Sequence, residues 1–593
     1  FKQKTAYEIR LSLVGSEMCI RDRYMLGAYI AYSIVDVLPR DPFLYWCAIL
    51  AAAIAVGVIG VAIEMLLLRR IYRAPELFQL LATFGVVLIV QDAAQWIWGP
   101  VDKLGPRAPG LRGAVEILGG RFPQYELLLI VIGPVMLLLL WLLFTRTRWG
   151  VLVRAATQDR EMVAALGVDQ KWLFTSVFFL GSVLAGLGGA LQVARGPTRL
   201  HMDLDIIADV FVVTVVGGMG SVPGAFLAAL LISQIHAFGI LIVPKSTLVL
   251  TFLVMAVVLV IRPYGLLGRA PTHPRVASAM QAAPIRAAPR ALVWLGLAAL
   301  ILAIALPLLG GEYAKLVATE MAIFVLFAAS LHFMMGPGGL ASFGHAAYFG
   351  VGAYAAALLL KHLGAPMEIG LLAAPFAAGL AGFAVGFFIV RLEGVYLAML
   401  TLAFAQIAWS AAFQWVDVTG GDNGILGVWP SAWARSKSVF YLFTLALCVG
   451  GTLLLRHVIH APFGYALRGA RDNPLRAEAI GIDVARIRWV AFTLAASLAG
   501  VAGALFAYSK GSVFPTYMAI PRSVDALLMV LLGGVETLSG PIVGALVFHG
   551  LNEQLVRWTE YWRAILGLVI VGLVLAFPQG IAGFVRDRWE RRA

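Results

Sequence analysis

Charge is scarce in this sequence. Only 13% of its 593 residues are Asp, Glu, Lys or Arg, while 61% are hydrophobic. Such a chain cannot be a soluble domain, because its long apolar runs leave too few polar residues to make a surface. Cysteine is nearly absent, with three residues in all. Cys47 and Cys448 stand alone in apolar runs, where a small buried hydrophobe is the expected role. No Cys/His spacing suits a metal, so a disulfide framework and a zinc site are both unsupported. No Gly-Lys-Ser/Thr triplet occurs, so there is no Walker A loop to cradle a nucleotide phosphate. No Ser/His/Asp set or carboxylate pair shares a plausible face, and no cofactor is expected in this chain. The 32 acidic residues against 45 Lys and Arg leave a net charge of +13. The cations cluster beside apolar spans, which is explained by their retention on the cytoplasmic side of a membrane; no nucleic-acid partner is expected.

What the chain has in place of catalytic motifs is a repeat. Residues 150–191, GVLVRAATQDREMVAALGVDQKWLFTSVFFLGSVLAGLGGAL, correspond to residues 464–505, GYALRGARDNPLRAEAIGIDVARIRWVAFTLAASLAGVAGAL. Gly150 meets Gly464, Arg154 meets Arg468, Gly167 meets Gly481 and Asp169 meets Asp483; Ala185-Gly186 and Gly189-Ala190-Leu191 meet Ala499-Gly500 and Gly503-Ala504-Leu505. A repeat of this length sets the architecture. The expected fold is all-α, a polytopic membrane protein of two homologous multi-helix halves related by a pseudo-two-fold axis.

Each copy opens on a polar segment with the chemistry of a very short helix. In the second copy Asn473 suits the cap, Pro474 the first helical position and Gly481 the residue just past the end. In the first copy Asp159 is the expected cap and Gly167 the terminator. About seven residues lie between, roughly 10 Å of helix at 1.5 Å per residue. A helix so short is unstable alone and is expected to dock onto something. A basic connecting loop is the competing reading, and matching caps in two copies weigh against it.

Apolar spans near 24–38, 43–68, 77–98, 126–144, 172–194, 223–243 and 246–261 make up the first half, with a shorter run at 206–216. Those of the second lie near 291–309, 313–335, 345–361, 367–390, 395–415, 439–458, 489–508 and 562–577, with a Gly-broken pair around 526–551. Most reach the roughly 20 residues a helix needs to cross a bilayer. The halves are drawn at 24–266 and 291–593, joined by an Ala/Pro/Arg-rich linker at 267–290. Residues 1–23 are polar and aperiodic and read as a non-native leader in place of a first helix, with an ordinary polar N-terminal tail as the rival reading. On that reading Tyr24, Tyr29 and Tyr32 are expected to meet lipid. If every long span crosses, the cationic loops at 69–73, 145–171, 262–290, 456–488 and 586–592 share the cytoplasmic side, and both polar turns fall there.

Polar groups inside apolar spans are the candidates for a substrate path. These are Asp92 and Gln91, with Gln406 and His345 in the other half; each competes with a bland reading, helix–helix hydrogen bonding for the first three and packing for His345. Glu64 is read as a helix-end ion pair with Arg69 or Arg70, and Glu320 and Lys315 as reaching the outer interface. The clusters Gly217-Gly218 and Gly533-Gly534 allow close helix approach or a break in the membrane. Gly420-Gly421-Asp422-Asn423-Gly424 is an outward turn that lacks the spaced oxygen ligands of a calcium loop.

The short polar helix with its Ala-rich segment and spaced Gly resembles the coupling loop of ATP-binding-cassette importer permeases. SFGHAAYFGVGAYAAALL (342–359), RLEGVYLAMLTLAFAQI (391–407), TGGDNGI (419–425) and the ending Pro-Gln-Gly-Ile resemble the M-type permease of branched-chain amino acid importers. YMLGAYIAY (24–32), LLATFGVVLIVQ (80–91), VVGGMGSVPGA (215–225) and RPYGLLG (262–268) resemble its H-type partner. The likeness spans about 24–590 and reads as a fusion of the two. It implies a bacterial inner-membrane permease that takes a small amino acid from a periplasmic substrate-binding protein. Two separate ATPase subunits would power it, so the chain itself would not be an enzyme. Arg154, Asp159, Ala164 and Gly167, with Arg468, Asn473, Ala479 and Gly481, would then carry the contact to those subunits. The same permease family also serves urea and short amides. A self-contained secondary transporter is the rival of another class; the parallel repeat and the scarcity of intramembrane ionisable groups weigh against it.

Overall fold

Runs of about twenty apolar residues have no means of satisfying their backbone in lipid except as helices, and helices are what they form. The computed structural model describes residues 22–38, 41–71, 76–117, 119–242, 247–268, 290–392, 394–577 and 579–590. The leader up to residue 21 and the linker from 269 to 289 lie outside the described residues. Among the described residues, twelve helices are long and apolar enough to cross a membrane, and three shorter apolar helices accompany them. The spans expected from hydropathy are all present.

The chain divides into two compact units. The first contains a helix at 22–37, then Pro42–Ile63, Glu76–Trp98, Gln124–Arg146, Gln170–Gln192 and Met202–Gly217. It also takes Trp562–Ala576, from the far end of the sequence, which packs along Glu76–Trp98. The second contains Arg290–Leu309, Glu312–Met335, Ala346–Leu363, Met367–Ile389, Val395–Gln414, Lys437–His460, Val484–Lys510 and Ile520–Gly533. It takes Thr247–Ile261 from the first half, packed on Val395–Gln414. Each sequence half therefore gives its last span to the other unit. In the first unit the exchange is held by small residues and a cap: Gly85 and Gly567 face one another, a Cβ on Gly567 falling 2.4 Å from the Gly85 carbonyl oxygen, and Asp92 Oδ2 accepts from Ala564 N at 2.7 Å. Hydropathy gives a span its length and says nothing of which neighbour it packs against.

The small residues of the repeat are the seams inside each unit. A Cβ on Gly189 would stand 1.8 Å from Tyr24 O, and one on Gly503 1.8 Å from Phe349 O, so both helix pairs touch backbone to backbone. Gly27 meets Gly186 as Gly352 meets Gly500. This packing overturns the expectation that Tyr29 meets lipid. Tyr29 is fully buried, 5.1 Å from the ring of Trp98, and Tyr24 and Tyr32 are partly buried beside it. Asp22 and Arg23, placed in the leader by composition, form the first turn of the 22–37 helix, with Arg23 buried over the Phe178 ring at 4.0 Å.

Two features went unread. The loop between Trp98 and Gln124 carries an antiparallel hairpin, Ala114–Ile117 with Gly120–Pro123. The Gly420–Gly424 turn is pinned by a short ladder, Ile425–Leu426 against Ser512–Val513. Strands of four and two residues are too short for alternation to stand out, which hides them from periodicity.

Candidate functional site

The two polar turns fold alike because their caps are alike. Asp159 ends the Arg148–Gln158 helix and caps Arg160–Ala165, its Oδ1 accepting from Met162 N at 3.0 Å. Asn473 stands between Pro462–Asp472 and Pro474–Ala479, and its Oδ1 accepts from Arg476 N at 2.9 Å. Gly167 and Gly481 leave the short helices at φ +82° and +89°, a conformation an L side chain resists. Asp169 and Asp483 then cap the next spans, from Lys171 N at 2.8 Å and Arg486 N at 2.9 Å.

Each turn hangs on a small apolar knot, Ala156, Val163 and Leu173 in one and Ala470, Ala477 and Val484 in the other. Its outer surface is also apolar. Leu166 is 75% exposed and Ile480 73%, with Met162 and Leu475 exposed beside them. A surface helix that buries one apolar stripe and displays another is built for a second surface. Ala164 and Ala479 are both exposed on it. The constant offset of the repeat pairs Ala479 with Ala165, and Ala164 with Glu478, so the two alanines are near-equivalents and not counterparts.

Of the two arginines expected to hold the turns, Arg154 is exposed, while Arg468 lies over the Tyr465 ring at 4.5 Å with Nε 3.4 Å from Gly464 O. The bracing in the second unit comes from residues that sequence reading missed. Arg471 Nη1 donates to Gly336 O at 2.6 Å, while its Nη2 pairs with Asp472 at 2.7 Å. Arg488 Nη2 donates to Ala470 O at 3.3 Å. Gly336 ends the Glu312–Met335 helix, and four residues back His332 Nε2 donates to Val535 O at 2.7 Å, in the break after Ile520–Gly533. A continuous path of short contacts thus runs from the polar turn through Gly336 to the glycine break. In the first copy the offset places Thr157 and Phe174 where Arg471 and Arg488 stand, so looking for repeated residues passes over both. Arg471→Ala is expected to lower the thermal midpoint by a few degrees, since a charge-assisted bond to a buried carbonyl contributes about 1.5–3 kcal/mol. Circular dichroism against temperature measures it, and Arg471→Lys should fall between the two.

The candidates for a substrate path divide between the units, Gln91 and Asp92 in the first, His345 and Gln406 in the second. All four are buried. Besides capping at Ala564, Asp92 sits next to Gln91, whose Nε2 donates to Asp203 Oδ2 at 2.9 Å. His345 stacks on Phe327 at 5.4 Å and its Nε2 lies 2.8 Å from Ser330 Oγ. The single Ser330 proton goes to Phe327 O at 2.7 Å, so Nε2 is the donor and the imidazole is protonated there. The Ser342–His345 stretch is non-helical backbone inside the unit, satisfied by Thr401 Oγ1 at Phe343 N (3.1 Å) and Ser523 Oγ at Ala346 N (2.9 Å). Its Gly344 abuts Thr401 O and Ala405, the residue before Gln406. Irregular backbone at membrane depth survives only where protein or a polar cavity covers it.

Glu64 pairs with Arg69 at 3.5 Å as expected, within a π-helical turn, Glu64–Leu68, and Thr175 Oγ1 donates to its Oε2 at 2.8 Å. Glu320 does not reach the interface. Lys315 takes Glu312 at 3.0 Å, and Glu320 turns inward to Lys510 and His549. Cys448 is buried as expected, whereas Cys47 is exposed on its span.

The comparison with protein families matches residues 17–261 and 313–574, both to the branched-chain amino acid transport system / permease component. LivM of Escherichia coli, a high-affinity branched-chain amino acid transport system permease protein, is 30% identical over 318 residues, 49% of this chain and 75% of that protein. LivH of Salmonella typhimurium, of the same description, is 23% identical over 256 residues, 42% of this chain and 83% of that protein. BraD of Pseudomonas aeruginosa is 27% identical over 257 residues, 42% of this chain and 83% of that protein. No solved structure matches. With one repeat of the family in each half, and H-type motifs followed by M-type, this chain belongs to the permease components of branched-chain amino acid transport systems and joins the two types in one polypeptide.

Proposed function

We propose that this chain forms the translocation path of an ATP-binding-cassette importer for branched-chain or related amino acids in a bacterial inner membrane. The short helices Arg160–Ala165 and Pro474–Ala479 each seat in one of two separate ATPase subunits, and a periplasmic binding protein delivers the substrate. The observation that carries this reading is the pair of similarly capped turns, each with an exposed apolar side chain, Leu166 or Ile480. Charge asymmetry supports the same side for both, since each turn lies in a loop rich in Lys and Arg.

The test is association. Expressed with its two candidate ATPase subunits, the chain should carry both through affinity purification in detergent, and deleting 159–167 together with 473–481 should release them. Retention of both subunits by the deleted chain would overturn the reading. Purified alone, the chain is expected to hydrolyse no ATP, because it lacks a Gly-Lys-Ser/Thr loop. Phosphate release that a point substitution within this chain abolishes would contradict this.

A further inference from the structure

The second unit holds a mixed-charge cluster that the polar turns do not use. Glu320 stands eight residues inside the Glu312–Met335 helix, about 12 Å from its start at 1.5 Å per residue. Lys510 ends Val484–Lys510, Arg522 and Asp525 lie in the first turns of Ile520–Gly533, and His549 comes from Gly540–Trp558. Glu320 pairs with Lys510 and lies 3.9 Å from His549 Nε2, while Arg522 Nη1 is 3.8 Å from Asp525 Oδ2. The wall is aromatic. The Arg522 guanidinium carbon is 5.3 Å from the centre of Phe324 and 5.5 Å from that of Phe506, and Tyr517 stands 4.9 Å from Phe506.

Five ionisable side chains gathered at the ends of apolar spans, Glu320 the deepest, call for a function, because lipid does not tolerate them. They are not sealed in the protein either. Arg522 is 28% exposed, Asp525 35% and Lys510 36%, so the cluster borders a space that must be polar. The repeat supplies an internal control. Where the second half has Phe506, Lys510 and Arg522, the first has Gln192, Gly196 and Ile206; Asp525 is matched by Asp209, and the surrounding Gly503 and Gly533 match Gly189 and Gly217. The first half keeps the glycine seams without the two cations and the Phe506 ring, so those three side chains are not needed for the seams.

Charges of both signs beside an apolar aromatic wall complement one kind of small molecule, a zwitterion with a hydrocarbon side chain. We propose that this cluster receives the transported amino acid on the permease. Arg522 and Lys510 take the α-carboxylate and Glu320 and Asp525 the α-ammonium; Phe324 and Phe506, buried beneath the Arg522 guanidinium, meet the aliphatic side chain as Arg522 turns to the ligand. The ligand bridges the two protein ion pairs without replacing them, since its one carboxylate is shared by two cations and its one ammonium by two anions, and the cluster stays neutral as a whole. The guanidinium fork suits a carboxylate better than the ammonium does. This proposal rests on the amino-acid importer reading above.

The experiment measures binding of tritiated leucine to the assembled permease–ATPase complex in nanodiscs, without binding protein, so that only the permease selects. Competition by leucinamide, which lacks the carboxylate, and by 2-hydroxyisocaproate, which lacks the ammonium, is read beside it. Arg522→Gln is expected to weaken leucine about 10- to 100-fold, the range of one charge-assisted bond, and to leave leucinamide unchanged. Glu320→Gln should weaken leucine and spare 2-hydroxyisocaproate. Arg522→Lys keeps the charge, serves if the Gln variant does not fold, and should lose leucine affinity with leucinamide again unchanged. A residue that merely supports the fold would move all three ligands together. Equal losses for leucine and its analogue, leucine binding within about twofold of the unsubstituted complex, or no saturable leucine binding to the unsubstituted complex would overturn the proposal. Uptake by proteoliposomes carrying the binding protein separates the two readings. Uptake that survives in both Arg522→Gln and Glu320→Gln keeps the importer and removes this site, whereas no amino-acid uptake by the unsubstituted complex removes the importer reading itself.

Discussion

A chain carrying Ala164→Arg and Ala479→Arg is expected to lose nearly all substrate-stimulated ATPase activity in the reconstituted complex while folding normally. Both alanines are exposed, so in the isolated permease each new guanidinium stands in water at no cost to the fold. In the complex the same positions adjoin Leu166 and Ile480, the most exposed apolar side chains of the turns. A groove that covers those side chains must strip water from the arginine, and burying a polar group without a partner costs about 1–3 kcal/mol by mutational measure. Each turn should then lose roughly 5- to 150-fold in affinity for its ATPase. Two turns must act together for the transporter to cycle, so the losses compound. The measurement is phosphate release with and without substrate-loaded binding protein, alongside the melting temperature of the permease. Unchanged stimulation in a well-folded double variant would show that these turns are not the coupling elements.

Gly503→Ala is expected to be among the most disruptive single methyls at the described positions, and Gly189→Ala its equal in the other unit. The added Cβ would lie 1.8 Å from the carbonyl oxygen of Phe349, or in the first unit from that of Tyr24, against the 3.0 Å below which real contacts do not go. The opposing atom belongs to helix backbone already engaged in hydrogen bonding, so it cannot swing aside as a side chain would. The helices must separate by about 1 Å, and overpacking of this kind costs about 1–3 kcal/mol or more. A midpoint lowered by several degrees, or loss of a monodisperse peak in size-exclusion chromatography, is the expected result. Gly469→Ala is the control, because nothing lies within 4 Å of its Cβ position. If the Gly503 and Gly469 variants melted together, the backbone seam would not hold the unit.

The local structure of the polar turns was legible because capping is a short-range affair. A side-chain oxygen that reaches an amide two or three residues ahead is written into consecutive letters, and Asp159, Asn473, Asp169 and Asp483 all cap where their spacing says. The spans were legible for a similar reason, since a bilayer demands one length of apolar helix whatever surrounds it. Partners were not. That Thr247–Ile261 packs in one unit and Trp562–Ala576 in the other depends on which small-residue faces meet, and Gly85 with Gly567 are hundreds of residues apart. Arg471 and Arg488 look in the sequence like ordinary basic residues of a cytoplasmic loop, and only the return of the chain sets Gly336 and Ala470 under their guanidinium groups. Glu320 shows the same limit from the other side. Its position near a helix start pointed to the interface, and tertiary packing of three helices turned it instead to Lys510 and His549. Sequence by itself determined the helices, their caps and the duplication, which follow from local backbone chemistry and the solvent. The tertiary structure alone decided which charges meet, because a Coulomb pair in a membrane is made by whichever helices close packing brings side by side.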